Sequence, residues 1–243
     1  MSFWDELDRG IIDCLFPRDC VVLQTPMEIG IGPYLSHAGS QQLERIYDPR
    51  CSTCGHPYWG LIEGDDLSCP HCKDLNPAFQ RAVCAFQARG HARTIIHQIK
   101  YQHQPWLLVD LATAALEDEV FRRHLLGAVL VPVPLHTSRE QNRGYNQSVR
   151  LAQELARQLP ATRVGLLLQK IKPTLSQTRL DRTARKQNVK NSFALRPGVK
   201  IHPTQRYIVI DDVLTTGATL HTCALVLREA GAQMIDAAAL AHG

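Results

Sequence analysis

The run Tyr207–Leu220 (YIVIDDVLTTGATL) constrains the fold of this chain more than any other segment. Tyr207–Ile210 is apolar and aromatic, which is typical of a buried parallel strand, and two carboxylates, Asp211 and Asp212, follow at its carboxyl end. Open α/β sheets bind their ligands at that end of the strands. The loop Thr215–Thr219 then leads into apolar residues at helical spacing. We therefore predict a strand, a ligand-binding loop and a helix of a parallel sheet.

The residues between this strand and this helix predict what the loop binds. A loop of small and hydroxylic residues that opens a helix offers backbone N–H groups, threonine hydroxyls and the positive end of the helix dipole, which suit a phosphate. The acid pair suits the vicinal hydroxyls of a ribose. We therefore expect a 5-phosphoribosyl group as ligand; the alternative is an ordinary strand–turn–helix with two surface acids. The candidate binding residues are Asp211, Asp212, Thr215, Thr216, Gly217, Ala218 and Thr219.

The same run resembles the signature loop of type I phosphoribosyltransferases, which bind phosphoribosyl pyrophosphate (PRPP). Strand, acid pair, Thr-Thr-Gly and helix occur here together and in order. The resemblance implies a doubly wound parallel α/β sheet of the type I phosphoribosyltransferase type. It also implies PRPP or a phosphoribosyl nucleotide as ligand, with Mg²⁺ bridging the pyrophosphate and the ribose hydroxyls.

The rest of the chain alternates between strand and helix patterns, which argues for a parallel sheet. The predicted strands are Ala82–Gln87, Ala128–Pro134, Val164–Ile171, Tyr207–Val213 and Gln233–Leu240. The predicted helices are Ala92–Tyr101, Trp106–Leu125, Gln147–Leu159 and Gly217–Ala230, with a short amphipathic helix Phe3–Leu15 and a basic helix Leu180–Val189. We expect two domains, with the sheet in residues 79–243 and a small module in residues 1–78.

The small module contains two pairs of cysteines at metal-knuckle spacing. Cys51 and Cys54 form the first pair, and Cys69 and Cys72 form the second. Four thiolates so spaced match a closed tetrahedral structural Zn²⁺ site. Disulfides or a redox pair, and an iron–sulfur cluster, are the alternatives, and a reducing compartment disfavours disulfides.

Positive charge is concentrated in one part of the chain. Arg139–Arg206 contains 15 Lys and Arg against three Asp and Glu, although the whole chain has a net charge of only +4. Such an excess indicates an anionic partner, either a pyrophosphate-bearing ligand or a nucleic acid. A solvated basic face on an ordinary enzyme is the alternative.

No segment of the sequence reads as a targeting or membrane-spanning element. Met1–Asp8 is acidic where a secretory signal would be basic. The most apolar candidate, Leu107–Leu116, is too short to span a bilayer and contains Asp110. We therefore expect a cytoplasmic protein without membrane insertion.

Taken together, these segments resemble the ComF family, in which a zinc knuckle precedes a phosphoribosyltransferase-like domain. The matching segments, in family order, are Phe16-Pro17-Arg18-x-Cys20, the two cysteine pairs, His97-Gln98-Ile99-Lys100-Tyr101, Val131-Pro132-Val133-Pro134, Arg143-Gly144-Tyr145-Asn146-Gln147, Gln177-x-x-Leu180, and Arg185-x-x-Asn188-Val189 with Asn191 and Phe193. Family members are implicated in handling incoming DNA during natural transformation. The family often has a further thiol pair after Phe-Pro-Arg, but here Leu23 stands three residues beyond Cys20.

The chemistry of the basic and amide residues outside the signature run predicts which ligand groups they contact. Arg139–Gln147 follows a strand end, where a flexible loop could close over pyrophosphate, and Arg143 offers fork-shaped donors for its oxygens. Lys100, at the end of a helix, could add a point charge near the same site. We therefore place Asp211, Asp212, Lys100 and Arg143 in the candidate catalytic set. The basic group Arg179, Arg182, Arg185 and Lys186 could bind pyrophosphate or a nucleic-acid backbone.

Two classes of function stay open at this point. The first is an enzyme that transfers phosphoribosyl from PRPP to an acceptor that the sequence does not identify, with release of pyrophosphate. The second is a non-catalytic nucleotide- or single-stranded-DNA-binding protein that works with DNA-uptake proteins in natural competence. A regulator that senses PRPP or a nucleotide is a third hypothesis. A pyrophosphate-release assay would separate the first class from the other two.

Overall fold

The computed structural model describes residues 18–27, 30–58, 69, 72, 76–172 and 192–243. The predicted amphipathic helix Phe3–Leu15 and the predicted basic helix Leu180–Val189 lie outside the described residues. None of the helices in the described segments has the length and hydropathy that a bilayer crossing needs.

Within these segments a parallel sheet of five strands forms the centre of the molecule. Its order is β1-β7-β6-β2-β3, and each neighbouring pair runs parallel. The strands are β1 (Ala82–Gln87), β2 (Val129–Pro132), β3 (Arg163–Val164), β6 (Arg206–Leu214) and β7 (Met234–His242). Two short antiparallel strands, β4 (Leu168–Lys170) and β5 (Phe193–Leu195), form a separate ribbon. The predicted parallel α/β sheet is confirmed.

Helices cover both faces of the sheet. The helices are α1 (His37–Ser40), α2 (Gly90–Tyr101), α3 (Leu107–Leu116), α4 (Glu119–Leu125), α5 (Thr137–Arg143), α6 (Gln147–Gln158) and α7 (Ala218–Glu229). Helices α2, α3, α4 and α6 share one apolar cluster with Ile208 and Ile210 of β6. Helix α7 and the β4–β5 ribbon share a second cluster with Tyr207 and Val209. Because successive strand residues point to opposite faces, β6 is buried on both sides and lies at the centre of the core.

Three predicted boundaries were wrong. The single helix expected over Trp106–Leu125 is two helices, because Asp118 ends the first and its side chain caps α4 by accepting from the backbone N–H groups of Val120 and Phe121. The strand expected over Val164–Ile171 is divided between β3 and β4, which belong to different sheets. The stretch expected as a flexible loop contains helix α5, which ends at Gly144 with a φ of 77°.

The segment before β1 packs against the sheet domain along its edge. Leu35 and Leu43 join the first apolar cluster, and the backbone N–H of Ile46 donates to Ala85 O at 3.0 Å. Strand β1 therefore has β7 on one side and this segment on the other. The division into domains at residues 78 and 79 stays a prediction.

Candidate functional site

The acid pair lies on β6, just beyond the last residue that pairs with the neighbouring strand β2. Pairing between β2 and β6 ends at Pro132 and Ile210, and the N–H of Val133 still donates to Ile210 O at 2.9 Å. Asp211 and Asp212 follow directly, so their side chains stand at the carboxyl edge of the sheet beside the point where β2 ends. This is the position at which open α/β sheets leave a crevice for a ligand.

Each carboxylate has a partner from a different helix. The hydroxyl of Ser148, near the start of α6, donates to Asp211 Oδ1 at 2.9 Å, and the backbone N–H of Asp212 donates to the same oxygen at 2.9 Å. Lys100, in the last turn of α2, places Nζ 2.9 Å from Asp212 Oδ2. The Asp212 side chain is only 5% exposed. Lys100, which we expected to add a charge near the pyrophosphate, therefore forms a direct ion pair with Asp212 in the structure.

Burial and neighbouring charges shift the ionisation of this group. Loss of water and repulsion by Asp212 raise the pKa of Asp211 to about 7, although Lys100 and Ser148 oppose the rise. Burial would lower the pKa of Lys100, but the carboxylates of Asp212 and Asp211 outweigh it and raise that pKa. The acid pair thus favours the charged form of Lys100, whereas burial and the neighbouring Asp212 disfavour the charged form of Asp211.

The predicted phosphate loop adopts the conformation that its glycine permits. Gly217 has a φ of 73° and is the N-cap of α7 without a side-chain cap hydrogen bond. Its carbonyl accepts the first helical bond, from His221 N at 2.8 Å, and Ala218 N makes a long 3.4 Å contact with Thr216 Oγ1. Thr215 and Thr219 line the cavity beside the acid pair, whereas Gly217 and Ala218 are buried beneath it.

A cavity of about 390 Å³ opens over the acid pair and the loop. This volume is within the range of small-molecule binding sites. One wall is apolar, and the others contribute the cations that an anionic ligand needs. The polar and charged lining residues are Arg93, His97, Lys100, Tyr101, Arg139, Arg143, Gln147, Lys170, Asp211, Asp212, Thr215 and Thr219.

Arg143 enters the cavity from the last turn of α5. Its guanidinium donates to Gln147 Oε1 and stands 5.7 Å from the centre of the Tyr101 ring. Arg139 lies one turn earlier on the same helix and lines the same cavity. A helix carries these arginines instead of the expected flexible loop, so their positions are set before any ligand binds.

Two residues of the site were missed by sequence reasoning. Lys170 reaches the cavity from β4, where burial and the nearby Arg139 lower its pKa to about 8. No motif marks it, because the β4–β5 ribbon brings it to the site through non-local pairing. Ser148 follows Asn146, which caps α6 by accepting from the N–H of Ser148 and Val149. The sequence signal for Ser148 was a small polar residue two positions after an asparagine that caps a helix.

The four knuckle cysteines converge on one point. Their sulfur atoms all lie within 4.8 Å of one another, and Cys51–Cys72 and Cys54–Cys69 are each 3.6 Å apart. A tetrahedral Zn²⁺ with bonds of about 2.3 Å would hold its sulfurs about 3.8 Å apart. The donor set and its spacing therefore fit a structural zinc ion, and they do not fit disulfides, whose sulfurs would be bonded at about 2.0 Å.

The first knuckle is attached to the edge of the sheet. Gly55 takes a φ of 73°, and an added Cβ would lie 3.0 Å from Ala82 O. Ala82 N in turn donates to Thr53 O at 2.8 Å. The turn between Cys51 and Cys54 therefore contacts the first residue of β1.

Comparison with known proteins gives one domain match and several full-length relatives. A phosphoribosyl transferase domain model matches residues 146–243, which contain β6, the acid pair and α7. Competence protein F of Haemophilus influenzae is 31% identical over 198 residues, which is 80% of this chain and 85% of that protein. DNA utilization protein YhgH of Salmonella typhi is 32% identical over 209 residues, which is 83% of this chain and 89% of that protein.

Similarity to solved structures is lower. A purine phosphoribosyltransferase from Pyrococcus horikoshii Ot3 aligns with 56% of this chain and 74% of its own, with 21% sequence identity and a TM-score of 0.32.

Proposed function

The chain belongs to the family of competence protein F and DNA utilization protein YhgH, and from that premise we propose that its cavity binds PRPP or a 5′-phosphoribosyl nucleotide. The observation that carries the proposal is that the acid pair and two loop threonines, Thr215 and Thr219, face the same cavity. Carboxylate oxygens accept hydrogen bonds from a ribose diol, while the loop and the α7 N-terminus suit the 5′-phosphate. The cavity is also large enough for a nucleotide-sized ligand.

The basic wall suits the pyrophosphate of such a ligand. Arg139 and Arg143 present fork-shaped donors from one helix, and Lys170 adds a charge from the opposite ribbon. Five Lys and Arg line the cavity against two Asp. A ligand with several negative charges is therefore matched by the protein's own cations.

A transfer reaction follows from this arrangement if an acceptor enters the cavity. A nitrogen nucleophile would bond to C1 of the ribose while the bond from C1 to the pyrophosphate oxygen breaks, and the pyrophosphate would leave with that electron pair. Asp211 and Asp212 would fix the ribose, and the basic residues would stabilise the charge on the leaving group. Mg²⁺ bound with PRPP would neutralise the diphosphate, held by ligand oxygens and water.

The zinc site and the location of the protein belong to the same proposal. We place one Zn²⁺ on Cys51, Cys54, Cys69 and Cys72, where it would join the two knuckle pairs. Such thiolates persist in a reducing compartment, which supports a cytoplasmic location.

Titration calorimetry with PRPP and Mg²⁺ tests the binding step. Asp212→Asn removes the charge that would accept a ribose hydroxyl, and Thr219→Val removes a hydroxyl from the cavity. A charge-assisted hydrogen bond contributes about 1.5–3 kcal/mol, so Asp212→Asn should weaken binding about 10- to 100-fold. Thr222→Val, one turn along α7, replaces a hydroxyl that donates to Ala218 O and should leave affinity unchanged. Equal affinities of all four proteins for PRPP would refute the proposed site.

A second candidate function is non-catalytic binding of single-stranded DNA. The specific observation is the excess of 15 basic over three acidic residues in Arg139–Arg206, together with relatives named for competence and DNA utilization. A pyrophosphate-release assay with PRPP, Mg²⁺ and a panel of bases distinguishes the candidates. Release above the rate of an Asp211→Asn/Asp212→Asn variant supports the enzyme, and PRPP binding without release supports the binding protein.

A further inference from the structure

The acid pair already contacts a cation of the protein itself, the ammonium of Lys100. We propose that the ammonium of Lys100 takes at Asp212 the place of a divalent metal ion, so that the acid pair receives the ligand without coordinating metal. This inference rests on the proposed function, because it concerns how the same cavity binds the same ligand. It states that Lys100, and not a metal ion, is the cation on the acid pair.

The geometry places the ammonium in direct contact with a buried carboxylate oxygen. Lys100 Nζ lies 2.9 Å from Asp212 Oδ2, the distance of a charge-assisted hydrogen bond, and the Asp212 side chain is 5% exposed. A buried carboxylate needs a partner of opposite charge, and the ammonium supplies it. A divalent ion on the same oxygen would stand beside the ammonium, and the repulsion between the two cations disfavours Mg²⁺ at Asp212 Oδ2.

One oxygen of Asp211 is also engaged. Asp211 Oδ1 accepts from the Ser148 hydroxyl and from the backbone N–H of Asp212, each at 2.9 Å. These donors orient the carboxylate from the protein side. A metal ion on Asp211 Oδ1 would have to share that oxygen with these two donors.

Lys100 is held in place by its helix. Ile95, Ile96 and Ile99 anchor α2 in the apolar core, and the hydroxyl of the buried Tyr145 donates to Ile99 O. Because the end of a helix carries partial negative charge, the last turn of α2 also favours an ammonium. The lysine is therefore positioned before a ligand arrives.

The cavity also offers other cations for the ligand's phosphates. Arg93, Arg139, Arg143 and Lys170 line it in addition to Lys100. Phosphate recognition therefore does not require a metal ion on the acid pair, and any Mg²⁺ would accompany the diphosphate.

Binding of Mn²⁺ to the zinc-loaded full-length protein tests this inference without PRPP. In electron paramagnetic resonance titrations we expect wild type to leave Mn²⁺ free in solution. Lys100→Met should gain one Mn²⁺ site per chain, at least about tenfold tighter than any site of wild type. Lys100→Met/Asp212→Asn should lose that site again. Arg93→Met removes a positive charge from the same helix and the same cavity, and should gain no such site.

Two results would overturn the inference. One is a wild-type Mn²⁺ site that Asp212→Asn abolishes, and the other is a folded Lys100→Met protein that gains no site. If Lys100→Met does not fold, Lys100→Gln keeps a hydrogen-bond donor, and Mn²⁺ should then raise its melting temperature while leaving that of wild type unchanged. Because no PRPP is present, a failure of PRPP binding would refute the proposed function separately.

Discussion

At the scale of single residues, Asp211 combines two opposing requirements. In the proposed function it must lose a proton to accept hydrogen bonds from ribose hydroxyls, but burial and the adjacent Asp212 raise its pKa to about 7. In the unfolded chain the same carboxyl would ionise near its ordinary pKa of about 3.9. The fold therefore holds this group in a state that costs free energy at neutral pH.

The first prediction concerns the pH dependence of stability. Between about pH 4 and pH 7 folded wild type keeps a proton on Asp211 that the unfolded chain releases, so its free energy of unfolding falls as pH rises. Asp211→Asn lacks this proton and keeps its hydrogen-bond acceptor. Relative to wild type, its free energy of unfolding should increase by about 2–4 kcal/mol from pH 4 to pH 8.

Urea unfolding across this pH range measures the difference. Asp19→Asn, which removes a carboxyl from an exposed position, is the matched control and should follow wild type. Parallel profiles for wild type and Asp211→Asn would contradict the raised pKa.

The residues of the site differ in how much the sequence revealed about them. Asp211, Asp212, Thr215 and Thr219 were predicted because strand, acid pair and loop are contiguous, and the structure brings them to one cavity. The position of Lys100 beside the acid pair came from a resemblance in residues about a hundred positions away. Lys170 could not be predicted, because the ribbon that carries it pairs residues 25 or so apart and no local pattern encodes that pairing.

At the scale of elements, the zinc knuckle and strand β1 support each other. Strand β1 pairs with β7 on one side, and on its other side Ala82 N donates to Thr53 O and Ile46 N donates to Ala85 O. The knuckle and the preceding segment therefore cover an edge that would otherwise expose unpaired backbone groups.

The second prediction follows from this dependence. Cys54→Ser should abolish zinc binding and unfold residues near 50–75, because thiolate coordination contributes directly to the folding of so small a module. Hydrogen exchange should speed up at Cys51, whose N–H donates to His56 O, and at Ala82, while the amides of β6 stay protected. Removing zinc from wild type with a chelator should reproduce the pattern.

Metal analysis tests whether the four cysteines bind zinc, which the second prediction assumes. Wild type purified under reducing conditions should contain about one zinc ion per chain. Absence of zinc, or unchanged exchange in Cys54→Ser, would show that the four cysteines have another role.

The third prediction compares the two ends of helix α7. Gly217 precedes the helix with a φ of 73°, and Gly231 follows it with a φ of 101°. A side chain is strained at such angles, so alanine at either position should lower the free energy of unfolding by about 1–2 kcal/mol. Gly217→Ala should also weaken PRPP binding, because it disturbs the loop beside the acid pair, and Gly231→Ala should not. Loss of PRPP affinity in both variants would mean that the effect is general destabilisation.

Element boundaries show where the sequence pattern was too coarse. The continuous apolar periodicity of Trp106–Leu125 hid the break at Asp118, because a capping aspartate can also lie on the polar face of an unbroken helix. Arg139–Gln147 was read as a loop from its polar composition. It forms α5, whose N-cap His136 accepts from the N–H of Ser138 and whose end is fixed by Gly144. The long central elements β6 and α7 matched the prediction within two residues at each end.

At the scale of the whole molecule, the basic stretch Arg139–Arg206 serves more than one purpose. Arg139, Arg143 and Lys170 line the cavity, and Arg206 pairs with Asp236 at 3.1 Å. The group Arg179, Arg182, Arg185 and Lys186 lies outside the described residues, so its role stays a prediction from the sequence. Only part of the excess of positive charge is therefore accounted for by the fold and the cavity.

The last prediction is that this stretch binds single-stranded DNA weakly and with little sequence preference. Phosphate contacts release counterions, so the affinity should fall steeply with salt, with a log–log slope of about −0.7 for each phosphate contacted. Base stacking should add little, because Tyr145 and Phe193 within the stretch, and Tyr207 directly after it, are all buried. Fluorescence anisotropy of a labelled oligonucleotide at several salt concentrations gives the slope.

Neutralising Arg182, Arg185 and Lys186 together by alanine should flatten that slope by about 2 when these residues contact about three phosphates. Replacing Arg81, Arg122 and Arg123, which lie outside the stretch, removes the same formal charge and should leave the slope unchanged. Long-range attraction depends on net charge, which the two triple variants change equally. The slope counts phosphate contacts, so it differs between the two variants only if the DNA contacts Arg182, Arg185 and Lys186. An affinity that does not vary with salt, or no binding at low ionic strength, would rule out the DNA-binding function. The remaining anionic partner of the basic stretch would then be PRPP.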